Sequence, residues 1–405
     1  MDASIVNEAG GILKRNYEGK IVNQVANPSA LWATVDKNSR AIVQGEKTIV
    51  ALRMNLSQAV GARGEFGVLP KAQKTRTVQK EVTLKNLYGV MRISGPLMEA
   101  SKSDSAAFIR AIRNESEGMT ESLKIDMARQ SMGDGTGILA LTAVNVATQV
   151  LQLETDANML YFEVDMLIDI RDAAKALIAS GDSRTIIDVD VANKQITIDV
   201  GGGNVTTAAT DGIYREDSVD EEIGGLRKIV SATGVLHGVD PTVAGNRRWA
   251  SSEDLAFGVF DEIKFQDALD GVHTNSGAWP NMIYSQAKPR NAYLKALKSQ
   301  RRFVTQNPLK LDAGFKGLAY TGGEREAAWV KDSFVRFSDE VFAMNMDWLE
   351  LRRAKPFRFI TIGGSVWIAE ISGSQGVDAF KAVLASYMEL VTRKRSAHLH
   401  LLQVT

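Results

Sequence analysis

The chain has 405 residues, 44% hydrophobic and 24% charged, an ordinary composition for a globular protein of roughly two or three domains. Basic and acidic residues both total 48, so net charge gives no indication of a nucleic-acid or anionic-membrane binder. Cysteine is absent, which excludes disulfides and thiolate metal sites, and no apolar run of about 18 residues could span a bilayer. We therefore expect a soluble protein made in a reducing cytosol.

The N-terminal segment has a weak hydrophobic pattern. Residues 5–14 favour a short helix, and Asn27-Pro28-Ser29 is typical of a turn. The segment is too polar to build a core alone, so we expect an arm that lies over another surface.

From Ile49 the hydrophobic period changes to two, the pattern of a half-buried strand, and a second extended run covers residues 75–94. The simplest interpretation is one antiparallel hairpin, with a polar and basic tip around Pro70. An isolated two-stranded ribbon is at best marginally stable in water, so its apolar face must lie on a neighbour, in the same chain or in another copy. The hypothesis of a subunit interface rests on nine residues: Val50, Leu52, Met54, Leu56, Lys71, Lys74, Arg76, Val82 and Leu84.

Residues 103–131 predict a long amphipathic helix with Ser103 or Asp104 as its N-cap. The apolar side chains share one narrow stripe: Phe108, Ile112, Met119, Leu123 and Met127. Gly133–Gly137 ends the helix, since three glycines in five residues cannot continue it cheaply. Such a helix, on the order of 40 Å long, is typical of one that crosses a sheet or a subunit boundary.

Beyond this helix the predicted elements are shorter. In chain order they are a helix over Val164–Ser180, strands over Thr185–Val191 and Gln195–Val200, helices over residues 253–271 and 289–299, mainly strands over 303–366, a helix over Val377–Thr392 and a strand over Ala397–Val404.

Several short motifs resemble ligand sites without completing one. Gly133–Gly137 lacks the Gly-Lys-Ser/Thr ending of a phosphate loop and follows a helix, which favours a structural stop. No helix follows the glycines at 61, 64 and 67, which argues against dinucleotide binding. His398 and His400 have no third metal ligand, and His237 and His273 have no partner at diagnostic spacing. Ordinary packing is the favoured role for all four histidines.

The charged clusters are equally unspecific. Asp217, Asp220, Glu221 and Glu222 could bind a cation, but such a run is usually a solvated face. The basic patch of Lys71, Lys74, Arg76 and Lys80 has no interleaved aromatic residues, so single-strand stacking is not indicated. Arg393–Arg395 is interpreted as the charged end of the last helix rather than as an anion site. We predict no enzyme activity, cofactor or metal.

The order of the parts carries a family resemblance. A polar arm, a long hairpin and a long helix ending in Gly-Asp-Gly-Thr-Gly precede a mixed domain, strands, a helix and a final strand. The stretches that carry the resemblance are Gly133–Gly137, Gly225–Asp240, Arg248-Trp249, Trp279–Ser285 and Tyr387–His398. Together they resemble the major capsid protein of tailed bacteriophages with the Hong Kong 97-like fold.

The resemblance implies an α+β fold with four parts. These are an N-terminal arm (1–48), an extended loop (49–97), a peripheral domain (98–149 and 333–396, with the spine helix 103–131) and an axial domain (150–332 and 397–405). It also implies hexamers and pentamers that close an icosahedral shell around double-stranded DNA without sequence specificity. Expected partners are portal, scaffolding and decoration proteins, with assembly in the host bacterial cytoplasm and no membrane contact.

Two departures from the family pattern qualify this expectation. Only about 48 residues precede the hairpin, so a separate scaffolding protein, or none, is expected and the chain is predicted to remain untrimmed. Lys71 and Lys74 could supply the amine of an intersubunit isopeptide bond, but Ser374–Asp378 holds no asparagine to receive it. A non-covalent shell is therefore predicted. The alternatives are an encapsulin-like nanocompartment enclosing cargo enzymes, a soluble sugar- or lipid-binding module, and an enzyme without a recognisable motif.

Overall fold

The computed structural model describes residues 30–38, 47–95, 105–144, 146–299, 318–322, 325–369 and 378–405. Both helices and sheets are present, which confirms the predicted α+β class. The helix predicted over residues 5–14 and the segment 374–377 lie outside the described residues. The helices of the described part are α1 Ala30–Thr34, α2 Ser105–Met132, α3 Leu226–Val230, α4 Glu262–Ser276 and α5 Ala287–Ser299.

The strands of the described part form three larger sheets and two two-stranded pairs. Their limits are β1 Asp36–Asn38, β2 Lys47–Asn55, β3 Arg76–Thr83, β4 Lys85–Ser94, β5 Ile138–Leu141, β6 Val146–Thr148, β7 Val150–Gln152, β8 Leu167–Arg171, β9 Arg184–Asp190, β10 Gln195–Ile198, β11 Val205–Thr207, β12 Gly212–Arg215, β13 Ser252–Asp254, β14 Met282–Ser285, β15 Leu318–Gly322, β16 Arg325–Lys331, β17 Val341–Met344, β18 Leu349–Phe359, β19 Ile368–Ala369, β20 Ala379–Thr392 and β21 Leu399–Leu401.

The long helix α2 confirms the predicted spine helix. It ends at the glycine loop, where Gly135 and Gly137 adopt φ of 80° and 86°, a left-handed conformation that glycine takes without strain. Strand β4 packs closely on the helix: a Cβ at Gly89 would lie 2.6 Å from Cδ1 of Leu123. A side chain at this position would therefore separate helix and sheet.

The sheet beside α2 contains β1, β18, β20, β19 and β4. The helix predicted over Val377–Thr392 is wrong, because this stretch is the central strand β20, paired with β4 along one edge and β18 along the other. A strand buried in mid-sheet needs apolar residues at most positions, and such a run also satisfies a helical spacing. The tertiary environment decides between the two conformations.

A second sheet follows α2, in the order β5-β12-β8-β9-β10-β7, and encloses its own apolar core. The strands predicted over Thr185–Val191 and Gln195–Val200 correspond to β9 and β10. The helix predicted over Val164–Ser180 is wrong. Its first half is strand β8, and Asp172 then accepts hydrogen bonds from the amides of Ala174 and Ala176, both at 2.9 Å. Such a local side-chain turn competes with a helix.

A third sheet, in the order β13-β21-β17-β14-β16-β15, shares a further core with α4 and α5. Helix α4 begins after the N-cap Asp261 and ends at Gly277 (φ 66°), so the helix predicted over 253–271 was placed about one strand and one loop too early. The helix predicted over 289–299 corresponds to α5. The predicted peripheral domain includes residues 333–396. Strand β17 falls in that range, but it pairs with β14 and β21 of this third sheet.

The described part of the N-terminal arm lies on its own chain. Leu31 and Trp32 of α1 are buried in the main core, and the Trp32 indole donates to the carbonyl of Met127 on α2. Strand β1 pairs in parallel with β18. For these residues, the surface that the arm covers therefore belongs to the same chain.

Candidate assembly surface

The predicted hairpin is confirmed, but it is shorter than expected. Strands β2 and β3 pair with each other from Lys47↔Thr83 to Asn55↔Arg76 and join no other sheet. The extended segment predicted over residues 75–94 forms two strands, β3 and β4, that are divided near Leu84. Strand β4 belongs to the sheet beside α2. We call the paired strands the ribbon base and residues 56–75 the tip.

The ribbon base packs on its own chain. Val50 and Leu52 are each 1% exposed, and with Val82 they belong to the core that also holds Leu236, Val239 and Trp249. On β3, the Arg76 guanidinium reaches 3.5 Å from the Asn246 carboxamide oxygen. Val50, Leu52, Val82 and Leu84 are buried in the monomer, and their place in a subunit interface stays a prediction. Met54 is half-buried against the same core.

Within the described residues, the tip has no comparable cover from its own chain. Its large apolar side chains are all exposed: Leu56, Val60, Phe66, Val68 and Leu69. Phe66 is 99% exposed, although a residue of this kind is normally buried. The predicted interface residues Leu56, Lys71, Lys74 and Arg76 are likewise exposed. The sequence analysis predicts a polar and basic tip. It misses the apolar run Phe66-Gly67-Val68-Leu69, which is visible in the sequence.

The end of the tip is a small turn held by its own hydrogen bonds. The Arg63 side chain donates to the carbonyl of Val68 at 2.8 Å, and the Gly67 amide donates to the carbonyl of Gly64 at 2.9 Å. Phe66 adopts φ of 63°, a conformation that is a genuine outlier for a bulky residue. The turn thus holds an aromatic ring in solvent at a conformational cost, and such strained residues cluster at functional positions.

A cleft of about 730 Å³ lies at the opposite end of the ribbon. Its walls come from the start of β4, the C-terminal half of α2 and the segments 163–167 and 215–222. Four acidic side chains at the cleft are exposed: Glu163, Asp165, Asp217 and Glu221. Three apolar side chains of the cleft lining are also exposed: Tyr88, Val164 and Leu167.

Buried ion pairs hold the floor of this cleft. The Arg129 guanidinium of α2 donates to Asp126 at 2.8 Å and to both carboxylate oxygens of Glu222. Arg215 reaches the same Asp126 carboxylate at 3.0 Å. Burial alone would raise the pKa of Asp126, but the charges of Arg129 and Arg215 outweigh it and hold that pKa below its ordinary value. These pairs fix the second sheet against the spine helix.

The acidic run predicted as a solvated face has a mixed role. Glu222 is buried against Arg129, Glu221 pairs with Lys85 at 3.1 Å, and Asp220 pairs with Lys175. No ion pair of Glu163, Asp165 or Asp217 occurs within the described ranges. Among the described residues, these three carboxylates of the cleft lining therefore have no paired basic side chain.

The histidines serve packing and hydrogen bonding. His398 accepts from the amide of Asn345 at 3.2 Å and lies 2.9 Å from the Thr392 hydroxyl, and burial lowers its pKa to about 3. His400 lies 2.8 Å from both Glu253 and Glu340, and burial would lower its pKa, but these two carboxylates raise it above the ordinary value. Within the described residues, no group of three or more His, Asp or Glu side chains could hold a metal ion.

The basic cluster at the end of β20 also differs from the prediction, because it follows a strand. Arg395 is buried and donates to the carbonyls of Lys228, Ile229, Thr233 and Gly234. It thereby anchors the Gly225–Asp240 stretch. A Cβ at Gly225 would lie 2.3 Å from the carbonyl oxygen of Gln130, so only glycine fits against the end of α2. Sequence reasoning did not identify either residue as a structural anchor.

Three solved structures that align along nearly the whole chain are two capsids and a virus-like particle. The cyanophage A-1(L) capsid asymmetric unit has 13% identity and a TM-score of 0.48, covering 96% of this chain and 93% of that one. The capsid of a native GTA particle has 12% identity and a TM-score of 0.46, covering 94% and 91%. A virus-like particle from Pyrococcus furiosus has 8% identity and a TM-score of 0.41, covering 96% and 98%.

No family model matches the sequence, and no curated protein matches it. Among the described helices, none is long and apolar enough to cross a bilayer.

Proposed function

We propose that the protein is a structural shell protein, the major capsid protein of a tailed phage. The observation that carries this proposal is the tip: five large apolar side chains stand in solvent at the end of a ribbon whose base is fixed in its own core. Contiguous exposed apolar surface on a soluble protein marks an interaction site. Burial of each such side chain on a partner would contribute roughly 1.5–3 kcal/mol.

A contact in which the tip of one copy binds a different surface of the next copy is head-to-tail. Head-to-tail contacts close into rings when the rotation permits, and hexameric and pentameric rings can together tile a closed shell. The full proposal is an icosahedral shell around double-stranded DNA, assembled in the host bacterial cytoplasm without a covalent crosslink. Portal and scaffolding proteins, and a decoration protein on the outside, are the proposed partners.

Electron microscopy of the purified full chain tests this proposal. We expect closed particles tens of nanometres across, formed by the protein alone or with a scaffolding protein. Particles filled with nucleic acid support a capsid, whereas particles that hold a protein cargo and no DNA support the encapsulin-like alternative. A chain that stays monomeric at high concentration under both conditions contradicts the shell function.

A further inference from the structure

A buried histidine on the third sheet lies between two carboxylates. His400 of β21 is 2% exposed, and its two ring nitrogens each lie 2.8 Å from a carboxylate oxygen, one of Glu253 on β13 and one of Glu340 just before β17. A neutral imidazole has one N–H donor, whereas the imidazolium has two, and an ionised carboxylate can only accept. Hydrogen bonds on both sides of the ring therefore require a second proton.

We propose that His400 is a latch worked by this proton: the imidazolium holds the edge strand β13 and the segment 231–235 on the third sheet, and loss of the proton releases them. The latch goes beyond the proposed shell function and does not depend on it.

The second proton belongs to the imidazole ring. Glu340 is 0% exposed, and the Arg227 guanidinium of α3 lies 3.7 Å from its carboxylate, which favours the ionised form. Glu253 accepts a hydrogen bond from the Ala232 amide at 3.0 Å, which also favours the ionised form. Because both carboxylates are stabilised as anions, the ring between them holds the positive charge.

The charged groups around His400 come from several elements packed against it. Arg227 faces Glu340, and a cavity of about 440 Å³ lies beside His400 and Glu253. Three further charged residues line this cavity: Asp134, Lys228 and Arg395. Burial alone would lower the pKa of His400, but the two bonded carboxylates outweigh it and raise that pKa above the ordinary 6.5.

Loss of the proton makes one of the two contacts unfavourable. A neutral ring can donate to one carboxylate only, and it then turns a lone pair toward the other oxygen. Glu340 has no exposed surface, whereas the Glu253 side chain is 14% exposed and lines the cavity, so Glu253 is the group that can move away. Its departure removes the acceptor of the Ala232 amide.

The elements that Glu253 holds have few other contacts to keep them in place. Strand β13 has three residues and, among the described strands, pairs only with β21 at the edge of the sheet. In the segment 231–235, three residues are exposed: Thr233, Gly234 and Val235. Local opening of such a short, exposed edge costs much less free energy than global unfolding.

The direction of the pH effect follows from the raised pKa of His400. The folded chain binds the proton more tightly than the unfolded chain does. The contribution of the latch to stability is therefore full below pH 6.5, and it is lost as pH rises through the higher pKa of the folded state. The latch is closed at low pH and open at high pH.

Hydrogen exchange of the full chain, read by mass spectrometry and corrected for the intrinsic rate at each pH, measures the opening. Between about pH 6 and pH 9, residues 231–235 and 252–254 should lose about tenfold more protection than helix α4, which serves as the internal reference. An equal change in all three segments overturns the latch, because it would report a change in global stability.

Glu253→Gln should keep the latch closed at every pH. The Gln carboxamide can donate to the neutral ring and still accept from the Ala232 amide, so the extra loss of protection should stay within about threefold. The matched control is Glu154→Gln on the second sheet, because Glu154 also accepts from a backbone amide, that of Leu141 at 3.3 Å. This control should keep the tenfold loss. Overturning results are a Glu253→Gln protein that opens like the natural chain and a control that stays closed.

An NMR titration of the natural chain tests the proton without relying on the Glu253 variant. Burial lowers the pKa of His237 and of His398 to about 3, so neither should titrate between pH 6 and pH 9. His273→Gln removes the signals of the fourth histidine and thereby identifies those of His400. We expect a His400 midpoint above pH 6.5 and a loss of protection that follows it. A midpoint at or below 6.5, or exchange that does not follow it, overturns the latch, whereas a chain that never forms particles contradicts the proposed function alone.

Discussion

The ribbon base and its tip are built from neighbouring residues with opposite relations to the rest of the chain. In the base, Leu52 is 1% exposed and sits in the main core, while four residues later Leu56 is 63% exposed. The base therefore stabilises the monomer, whereas the exposed tip is the element proposed to contact another copy. The boundary between base and tip falls near Asn55.

The comparison predicts its largest effect for removal of the tip. Replacing residues 58–74 by a Gly-Asn turn should abolish or sharply weaken particle formation, because the exposed apolar side chains are lost. The melting temperature of the monomer should stay nearly unchanged, since these residues bury little in their own chain. Electron microscopy and calorimetry check the two halves. Normal particles, or an unfolded chain, would show that the tip is not an assembly element.

The base should respond in the opposite way. Leu52→Ala removes a fully buried side chain and should lower the free energy of unfolding by about 2–5 kcal/mol. Its control four residues later, Leu56→Ala in the exposed tip, should change that free energy by no more than about 0.5 kcal/mol. Denaturant titration of both monomers measures the difference. Equal losses of stability would mean that the base and the tip are not distinct.

The sequence predicted the elements whose pattern is local. Helix α2 has a strong apolar stripe and a glycine stop, and the ribbon has a clear period of two, so both were predicted. The sequence did not predict strand β20. Its apolar residues fit the spacing of a helix as well as that of a strand paired on both edges: Phe380, Val383, Leu384 and Tyr387. Only the presence of β4 and β18 on its two edges settles the conformation.

The candidate surface was predicted in part. The alternation at Val50 and Leu52 correctly indicated a buried face, but no local pattern says whether that face is buried by the same chain or by another copy. The partners of the base, such as Trp249, are about 200 residues away. The cleft likewise joins β4 to segments beyond residue 160, and Arg395 binds carbonyls of residues 228–234. These pairings arise only in the folded chain.

A change of pH should alter the free energy of unfolding of the chain, but it should not alter the contact proposed for the tip. Glu389 of β20 accepts a hydrogen bond from the Gly224 amide at 2.8 Å, and burial raises its pKa from the ordinary 4.5 to about 7. Because the folded chain holds this proton more tightly, the contribution to stability is full below pH 4.5 and is lost as pH rises through about 7.

Glu389→Gln should keep the acceptor and remove this pH dependence. Relative to the variant, the natural chain should lose on the order of 1–3 kcal/mol of unfolding free energy between pH 5 and pH 8. The tip-shortened protein should follow the natural chain throughout, since its Glu389 is intact. Denaturant titrations at several pH values measure both. A variant that retains the full pH dependence would assign it to other buried groups.

The smallest effect on the monomer concerns Phe66 and decides whether the strain at the tip is functional. Asparagine tolerates a positive φ better than phenylalanine does, so Phe66→Asn should leave monomer stability unchanged or raise it by up to about 1 kcal/mol. Assembly should nevertheless weaken, because the variant lacks the exposed ring. Phe66→Leu, which keeps an apolar side chain and the strain, should assemble better than Phe66→Asn. Light scattering across a concentration series ranks the three proteins. If Phe66→Asn assembles as well as the natural chain, the ring is not part of the contact and its strained conformation has no role in assembly.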